Sequence, residues 1–154
     1  MAEKVTEGFT IERMKEEDLE EVLRIEKESF SDPWIRECFL EDVNRELAYP
    51  AVVKIGERLV GYTCLWKVED ELQIANIAVD KEHRGRGIAK RLLGWIMEQA
   101  LKQNCKNITL DVRESNSVAI RLYDQYGFRE IGRRKKYYRF PVEDAIIMER
   151  KIQG

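Results

Sequence analysis

Residues 76–93, NIAVDKEHRGRGIAKRLL, place a strand, a glycine-containing loop and a helix in direct succession. The apolar, β-branched run stops at Asp80, and from Ile88 onward apolar residues recur at helical spacing. Gly85 and Gly87 lie between them and let the backbone come close to a ligand. Because the first turn of a helix offers free amides at the positive end of its dipole, this stretch predicts an anion site of phosphate size.

Three kinds of phosphate loop compete for these residues. A Walker loop needs Gly-Lys-Ser/Thr after a first glycine and four residues, and the sequence has no such string. A dinucleotide fingerprint fits in part, with Gly85 and Gly87 as its first pair and Asp111 at the distance of a ribose contact, but Lys90 stands where the third glycine belongs. Too few residues follow the loop for a doubly wound sheet, which leaves a coenzyme A pyrophosphate loop as the third interpretation.

The third interpretation agrees with a resemblance that extends over nearly the whole chain. The loop 84–89, RGRGIA, looks like the Arg/Gln-x-x-Gly-x-Gly/Ala sequence of the GCN5-related N-acetyltransferase (GNAT) superfamily. The stretches NIAV, DVRESN, AIRLY with YGF, and DAIIM resemble the RimI-type ribosomal-protein-alanine N-acetyltransferases, and begin at residues 76, 111, 119, 126 and 144. Several sequences in the right order at family spacing are specific, so the chain is identified as a member.

The resemblance implies acetyl-CoA as cofactor and a set of residues that bind it. Backbone amides of the strand would take the pantetheine, amides of the loop the pyrophosphate, and the Asn116 side chain a further contact. The strand would carry a bulge that frees amides for the cofactor and polarises the thioester carbonyl. The implied cofactor-binding residues are Ile77, Val79, Arg84, Gly85, Arg86, Gly87, Ile88, Ala89, Asn116 and Tyr123.

Two catalytic residues follow from the same comparison. Tyr123 occupies the position of the family's general acid, which protonates the departing thiolate. Spacing alone favours a core aromatic residue of an amphipathic helix, and the resemblance reverses that preference. Asp111 stands where RimI-like enzymes usually carry Glu, one methylene longer. It is interpreted as a general base acting through a water, as a ligand of the substrate ammonium group, or as a structural carboxylate, with Glu26 as another acid near a helix stripe.

Two stretches are predicted to form the walls of a peptide groove. The resemblance places Trp34, after Pro33, in a wall between the first two helices, although a large residue that anchors a loop is the alternative. Residues 133–138, RRKKYY, fall on the last hairpin and the opposite wall, although basic residues beside aromatic ones also suit RNA. The groove is favoured over direct nucleic-acid binding. The expected substrate-binding residues are Trp34, Asn76, Asp111, Tyr137 and Tyr138.

Length and composition set the remaining limits. The 154 residues, 44% of them hydrophobic, suit a single domain over 1–154. There is no apolar run of the roughly 18 residues that a membrane span needs, and the first residues lack the apolar region of a signal peptide, so a cytoplasmic protein is expected. Cys38, Cys64 and Cys105 are expected to be buried small residues, without a disulfide framework or a metal cluster.

The order of the predicted elements indicates an α+β domain with a mixed sheet. A strand near 8–14 precedes a helix at 15–30 and, after a turn at 31–34, a second helix to about Leu47; strands at 51–55, 59–67 and 72–79 then form an antiparallel meander. The helix after the loop then leads into a parallel strand at 108–113, a helix that ends at Gly127, and the last strands. The resemblance sharpens this to the GNAT fold, with a splayed parallel pair at the cofactor site and helices on both faces.

The leading hypothesis is therefore a protein N-terminal acetyltransferase. It would transfer acetyl by direct attack in a ternary complex, with the α-amine of a protein such as a ribosomal protein as acceptor. The alternatives are a small-molecule amine acetyltransferase and a non-catalytic module that binds acyl-CoA or contacts RNA.

Overall fold

The computed structural model describes residues 4–6 and 8–152, which form one sheet with helices on both faces. The strands are β1 (Lys4–Thr6), β2 (Phe9–Arg13), β3 (Ala48–Ile55), β4 (Arg58–Val68), β5 (Glu71–Val79), β6 (Asn107–Arg113), β7 (Arg129–Tyr138) and β8 (Glu143–Lys151). The helices are α1 (Leu19–Ser29), α2 (Arg36–Val43), α3 (Ile88–Lys102) and α4 (Ser117–Gln125), with short 3-10 helices at Glu16–Asp18 and Lys81–His83.

The sheet has eight strands in the order β1-β2-β3-β4-β5-β6-β8-β7, and every neighbouring pair is antiparallel except β5 with β6. The parallel ladder pairs Glu71 to Ile74 with Asn107 to Leu110. Further along, β5 continues against β4 and β6 continues against β8, so the two strands part at their carboxyl ends. The mixed sheet with a splayed parallel pair is thus confirmed.

A β-bulge lies in β5 just where the parallel ladder ends. Opposite it on β4, Cys64 faces Asn76 and Leu65 faces Ile74, so Ala75 is the extra residue. An extra residue reverses the alternation of side chains between the two faces of a strand. Ile74 packs into the core beneath α3, whereas Asn76 turns toward α1 on the opposite face. The bulge that the resemblance implied is present.

Two apolar cores, one on each face of the sheet, fix the helices. On one face α3 contributes Ile88, Leu92, Leu93 and Ile96, each 1% exposed or less, to a core that also takes in α4. On the other face α1 and α2 pack Val22 and Phe39 against β3 and β4. Because each such aliphatic side chain contributes about 1.5–3 kcal/mol when fully buried, the α3 stripe holds the amino end of that helix firmly against β5.

The extent of the second helix and the burial of one cysteine differ from the prediction. Helix α2 covers only Arg36–Val43, with Ile35 61% exposed just before it. Phe39 and Asp42 are its buried residues, whereas Cys38 is exposed, so the expected burial of Cys38 is wrong. Cys64 and Cys105 are buried as expected, and all three cysteines are free thiols. No helix in the described part of the chain is long and apolar enough to cross a membrane.

Candidate active site

The loop between β5 and α3 has the backbone geometry of an anion cradle. Gly85 and Gly87 have φ angles of +83° and +78°, in the left-handed region that side chains rarely adopt, and Gly87 is the N-cap of α3. A Cβ atom at either glycine would meet nothing within 4 Å, so this side of the loop is open. Ile88 is buried in the core, which leaves the free amides of the first helical turn beside the opening. Pyrophosphate therefore fits the residues that are present.

Asp80 anchors this loop from below, although it did not stand out in the sequence as a functional residue. Its side chain is fully buried and accepts hydrogen bonds from the Glu82 backbone N–H at 3.3 Å and from Arg24 Nη2 of α1 at 3.2 Å. His83 Nδ1 lies 3.5 Å from the same carboxyl group. Burial alone would raise the pKa of Asp80, but these donors outweigh it and hold the pKa below its ordinary value.

Replacing Asp80 with asparagine should lower the free energy of unfolding by about 1–3 kcal/mol at pH 7, because buried donors lose a charged acceptor. Since the folded-state pKa is depressed, this stability is fully present above the ordinary pKa of about 4 and is lost as pH falls through the folded value. Urea unfolding at pH 7 and near pH 3 should show the difference between wild type and variant shrinking on acidification. Asp70→Asn is the control, because Asp70 is exposed and pairs with Lys106 at 3.6 Å; an equal effect there would contradict the prediction.

Helix α4 carries Tyr123 toward the sheet. The Asn116 side chain caps the helix by accepting a hydrogen bond from the Ala119 N–H at 3.2 Å, so the oxygen of this predicted cofactor residue is used within the helix start. Tyr123 is 7% exposed and its ring lies 5.8 Å from that of Phe128. Burial raises the pKa of Tyr123 to about 12, which keeps the hydroxyl protonated at neutral pH. The structure thus places a buried proton donor in the core between α4 and the sheet.

Asp111 lies on β6, just beyond the end of the parallel ladder. Its carboxyl group is 3.4 Å from Arg134 Nε of β7 and stays partly open to solvent. Burial first, and then the charge of Asp111, raises the pKa of Tyr138 on β7. Asp111 therefore lies at the splayed end of the sheet, on the face of β6 opposite the core that contains Tyr123.

Two loops meet over this end of the sheet. The helix loop (residues 30–35) contains Trp34, whose ring stacks on Trp66 at 6.0 Å, and the hairpin turn (residues 139–142) follows Tyr138. Arg139 Nη2 lies 2.9 Å from Asp32 Oδ2, which joins the two loops directly. This ion pair forms a bridge between the helix loop and the hairpin turn, next to the predicted walls at Trp34 and residues 133–138.

Arg113 supports the bridge and was missed in the sequence. Two residues beyond Asp111, its guanidinium donates to Ser31 Oγ at 3.1 Å and to the Arg139 carbonyl at 2.7 Å. It also lies 4.5 Å from the centre of the Tyr138 ring. Its place next to Asp111 on a strand was the one available signal, because its partners come from distant parts of the chain.

The basic stretch is partly neutralised within the protein. Arg133 pairs with Glu114 at 3.1 Å and Arg134 pairs with Asp111, while Tyr137 is exposed beside Tyr138 with the two rings 5.1 Å apart. Charges already paired with carboxylates have less to offer a phosphate backbone. This arrangement favours the role of a groove wall over that of an RNA surface.

A parallel pair of strands that parts beside a glycine cradle, followed by a helix that carries a buried tyrosine, is the arrangement of an acyl-CoA-dependent transferase. The Acetyltransferase (GNAT) family model matches residues 19–128, and the chain belongs to this family of acetyltransferases, which use acetyl-CoA.

Individual relatives cover almost the whole chain. It is 34% identical to the N-alpha-acetyltransferase RimI of Mycobacterium tuberculosis over 94% of each protein. It is 32% identical to the [ribosomal protein bS18]-alanine N-acetyltransferase of Haemophilus ducreyi, over 90% of this chain and 97% of that one. The crystal structure of the Escherichia coli ribosomal-protein-alanine N-acetyltransferase superimposes with a TM-score of 0.88 at 30% identity, covering 95% of each chain.

Proposed function

We propose that this acetyltransferase modifies the α-amine at the N-terminus of a protein, by direct attack of the amine on the thioester in a ternary complex. The observation that carries the proposal is the parting of β5 from β6 beside the glycine loop, with Asp111 just beyond the parallel ladder and the buried Tyr123 on the helix that follows β6. The relatives named for N-alpha and bS18-alanine acetylation support it. A ribosomal protein beginning with alanine is accordingly the proposed natural substrate.

The cofactor site uses backbone more than side chains. The amides of Ile77 and Val79, just past the bulge at Ala75, would hold the pantetheine, and the amides of 84–89 the pyrophosphate. Arg84 Nε donates to the Val79 carbonyl at 3.3 Å and so ties the loop to the strand. Bound acetyl-CoA supplies an acyl group activated as a thioester.

The remaining steps are proton transfers, from the attacking amine and to the departing thiolate. A terminal amine has a pKa near 8 and a lysine amine near 10.4, so the neutral fraction at pH 7 is roughly two hundred times larger for the terminal amine. Asp111 accepts the amine proton, directly or through one water, and Arg134 keeps that carboxyl group oriented. Tyr123 donates its proton to the departing sulfur. Trp34, Tyr137 and Tyr138 flank the peptide. Asn76 lies on the α1 face of β5, where its side chain donates a hydrogen bond to Glu26.

A panel of acceptors tests this function. Acetyl-CoA is offered with short peptides that begin with Ala, Ser or Met, with an Nα-blocked peptide that contains lysine, and with spermidine and an aminoglycoside. Thiol release is expected with free N-termini, fastest for alanine, and at least about tenfold slower for the blocked peptide. Preference for the blocked peptide or for spermidine would contradict the proposal, and RNA binding without thiol release would favour the non-catalytic alternative.

A further inference from the structure

Glu26 of α1 is a buried acid with no part in the proton transfers described above. It is 1% exposed, and three donors converge on its carboxyl group. Oε1 accepts from Tyr62 Oη at 2.6 Å and from Asn76 Nδ2 at 2.9 Å, and Oε2 accepts from the backbone N–H of Trp34 at 2.9 Å. A carboxyl group enclosed in this way is held in one orientation.

These three contacts join parts of the site that are distant in sequence. Trp34 belongs to the helix loop, and its ring packs against Phe39 at 5.1 Å as well as on Trp66. Asn76 directly follows the bulge in β5, next to the amides proposed for the pantetheine. Glu26 is therefore the direct link between one substrate wall and the cofactor strand.

The enclosure of Glu26 argues against a role as general base. Both carboxyl oxygens already accept hydrogen bonds from protein donors, and the group is not accessible to an incoming amine. A base has to reach the proton directly or through one water. The effect of Glu26 on the reaction must then be exerted through the residues that it holds.

We propose that Glu26 is a positioning residue that fixes the distance between the Trp34 wall and strand β5, and so sets the fit of the peptide. This inference rests on the proposed function, because it assigns the peptide to the space between wall and strand. Loss of the acceptor for the Trp34 N–H frees the helix loop to move. The cofactor strand keeps its pairing with β4, so cofactor binding is retained.

Three variants separate positioning from general stability. Glu26→Met fills the same volume without an acceptor, and we expect the KM for an Ala-first peptide to rise by at least about tenfold. Glu26→Gln keeps a carbonyl for the Trp34 N–H while Tyr62 and Asn76 reorient toward its amide, so its KM should stay within about threefold of wild type. Tyr62→Phe removes one donor from the same carboxyl group without touching the wall, and it should also stay within about threefold.

Acetyl-CoA affinity, measured by calorimetry without peptide, should stay within about threefold for all three variants. An equal rise in peptide KM in all three variants, an unchanged KM in Glu26→Met, or a loss of acetyl-CoA binding would overturn the positioning role.

Amide hydrogen exchange provides a readout that needs neither activity nor the methionine variant to fold. The Trp34 N–H of the wild-type protein and of Glu26→Gln should exchange at least about tenfold more slowly than a free amide. Rapid exchange of Trp34 in the wild type would overturn the inference. If no peptide is acetylated but the Trp34 amide is protected, the proposed function fails while the contact to Glu26 stands.

Discussion

Replacing Tyr123 with phenylalanine is expected to lower kcat by about 10²–10⁴-fold, the range typical for loss of a general acid or base. Tyr123 is buried, and its pKa of about 12 keeps the proton available for the departing thiolate throughout the neutral range. Phenylalanine retains the packing against Phe128. The affinity for acetyl-CoA should therefore change little, which steady-state kinetics and calorimetry on the same preparation will show.

The same assignment predicts how kcat depends on pH at the alkaline end. Because the tyrosine loses its proton only near its raised pKa of about 12, wild-type kcat should not fall from this cause below about pH 11. Tyr49→Phe is the matched control, since Tyr49 donates to Gln103 Oε1 at 3.2 Å at the far end of α3. A Tyr123→Phe protein that binds acetyl-CoA and turns over at the full rate would defeat the assignment.

Replacing Asp111 with asparagine is expected to reduce kcat/KM by about 10²-fold near pH 6.5 and by clearly less near pH 9. At low pH the terminal amine, with a pKa near 8, is mostly protonated, so the reaction depends most on a group that takes the proton. Asparagine has nearly the same shape but accepts no proton. The measurement is kcat/KM for an Ala-first peptide across this pH range.

Asp124→Asn is the control for this variant. Asp124 also pairs with an arginine, Arg129 at 3.2 Å, but on the exposed surface of α4. It should leave the pH profile unchanged. An unchanged pH profile in Asp111→Asn would contradict the role of Asp111 as the base and would assign acceptance of the amine proton to a water near Gln73. Glu26 is not an alternative base, because its carboxyl group is already enclosed by three donors.

Much of the fold follows from local pattern, and the boundaries show where local pattern stops. Helix α3, strand β6 and helix α4 lie close to their predicted limits, because their apolar spacing, glycines and caps are contained within each element. Helix α2 was overextended, since its apolar residues suggested a face that the rest of the protein does not cover. Burial depends on the neighbouring elements, and these are absent from a pattern of residue types.

The candidate site also combines features that local sequence predicts with features that depend on strand pairing. The sequence predicts that Asn76 contacts the substrate, and the structure adds that its side-chain amide donates a hydrogen bond to Glu26 on the α1 face of the sheet. The extra residue at Ala75 causes this by turning Asn76 to the other face. A bulge depends on how the partner strand pairs, and nothing in the residues of β5 alone reveals it.

By itself the sequence determined the strand, glycine loop and helix, because φ freedom at Gly85 and Gly87 and apolar periodicity are local properties. It also determined that Tyr123 lies on a helix after Asn116. Only the tertiary structure decided which partners each charged group meets. The partners Tyr62 and Asn76 are 36 and 50 positions from Glu26 in the sequence, and Ser31 is 82 positions from Arg113. These residues come into contact only when the sheet and its two helical layers have assembled.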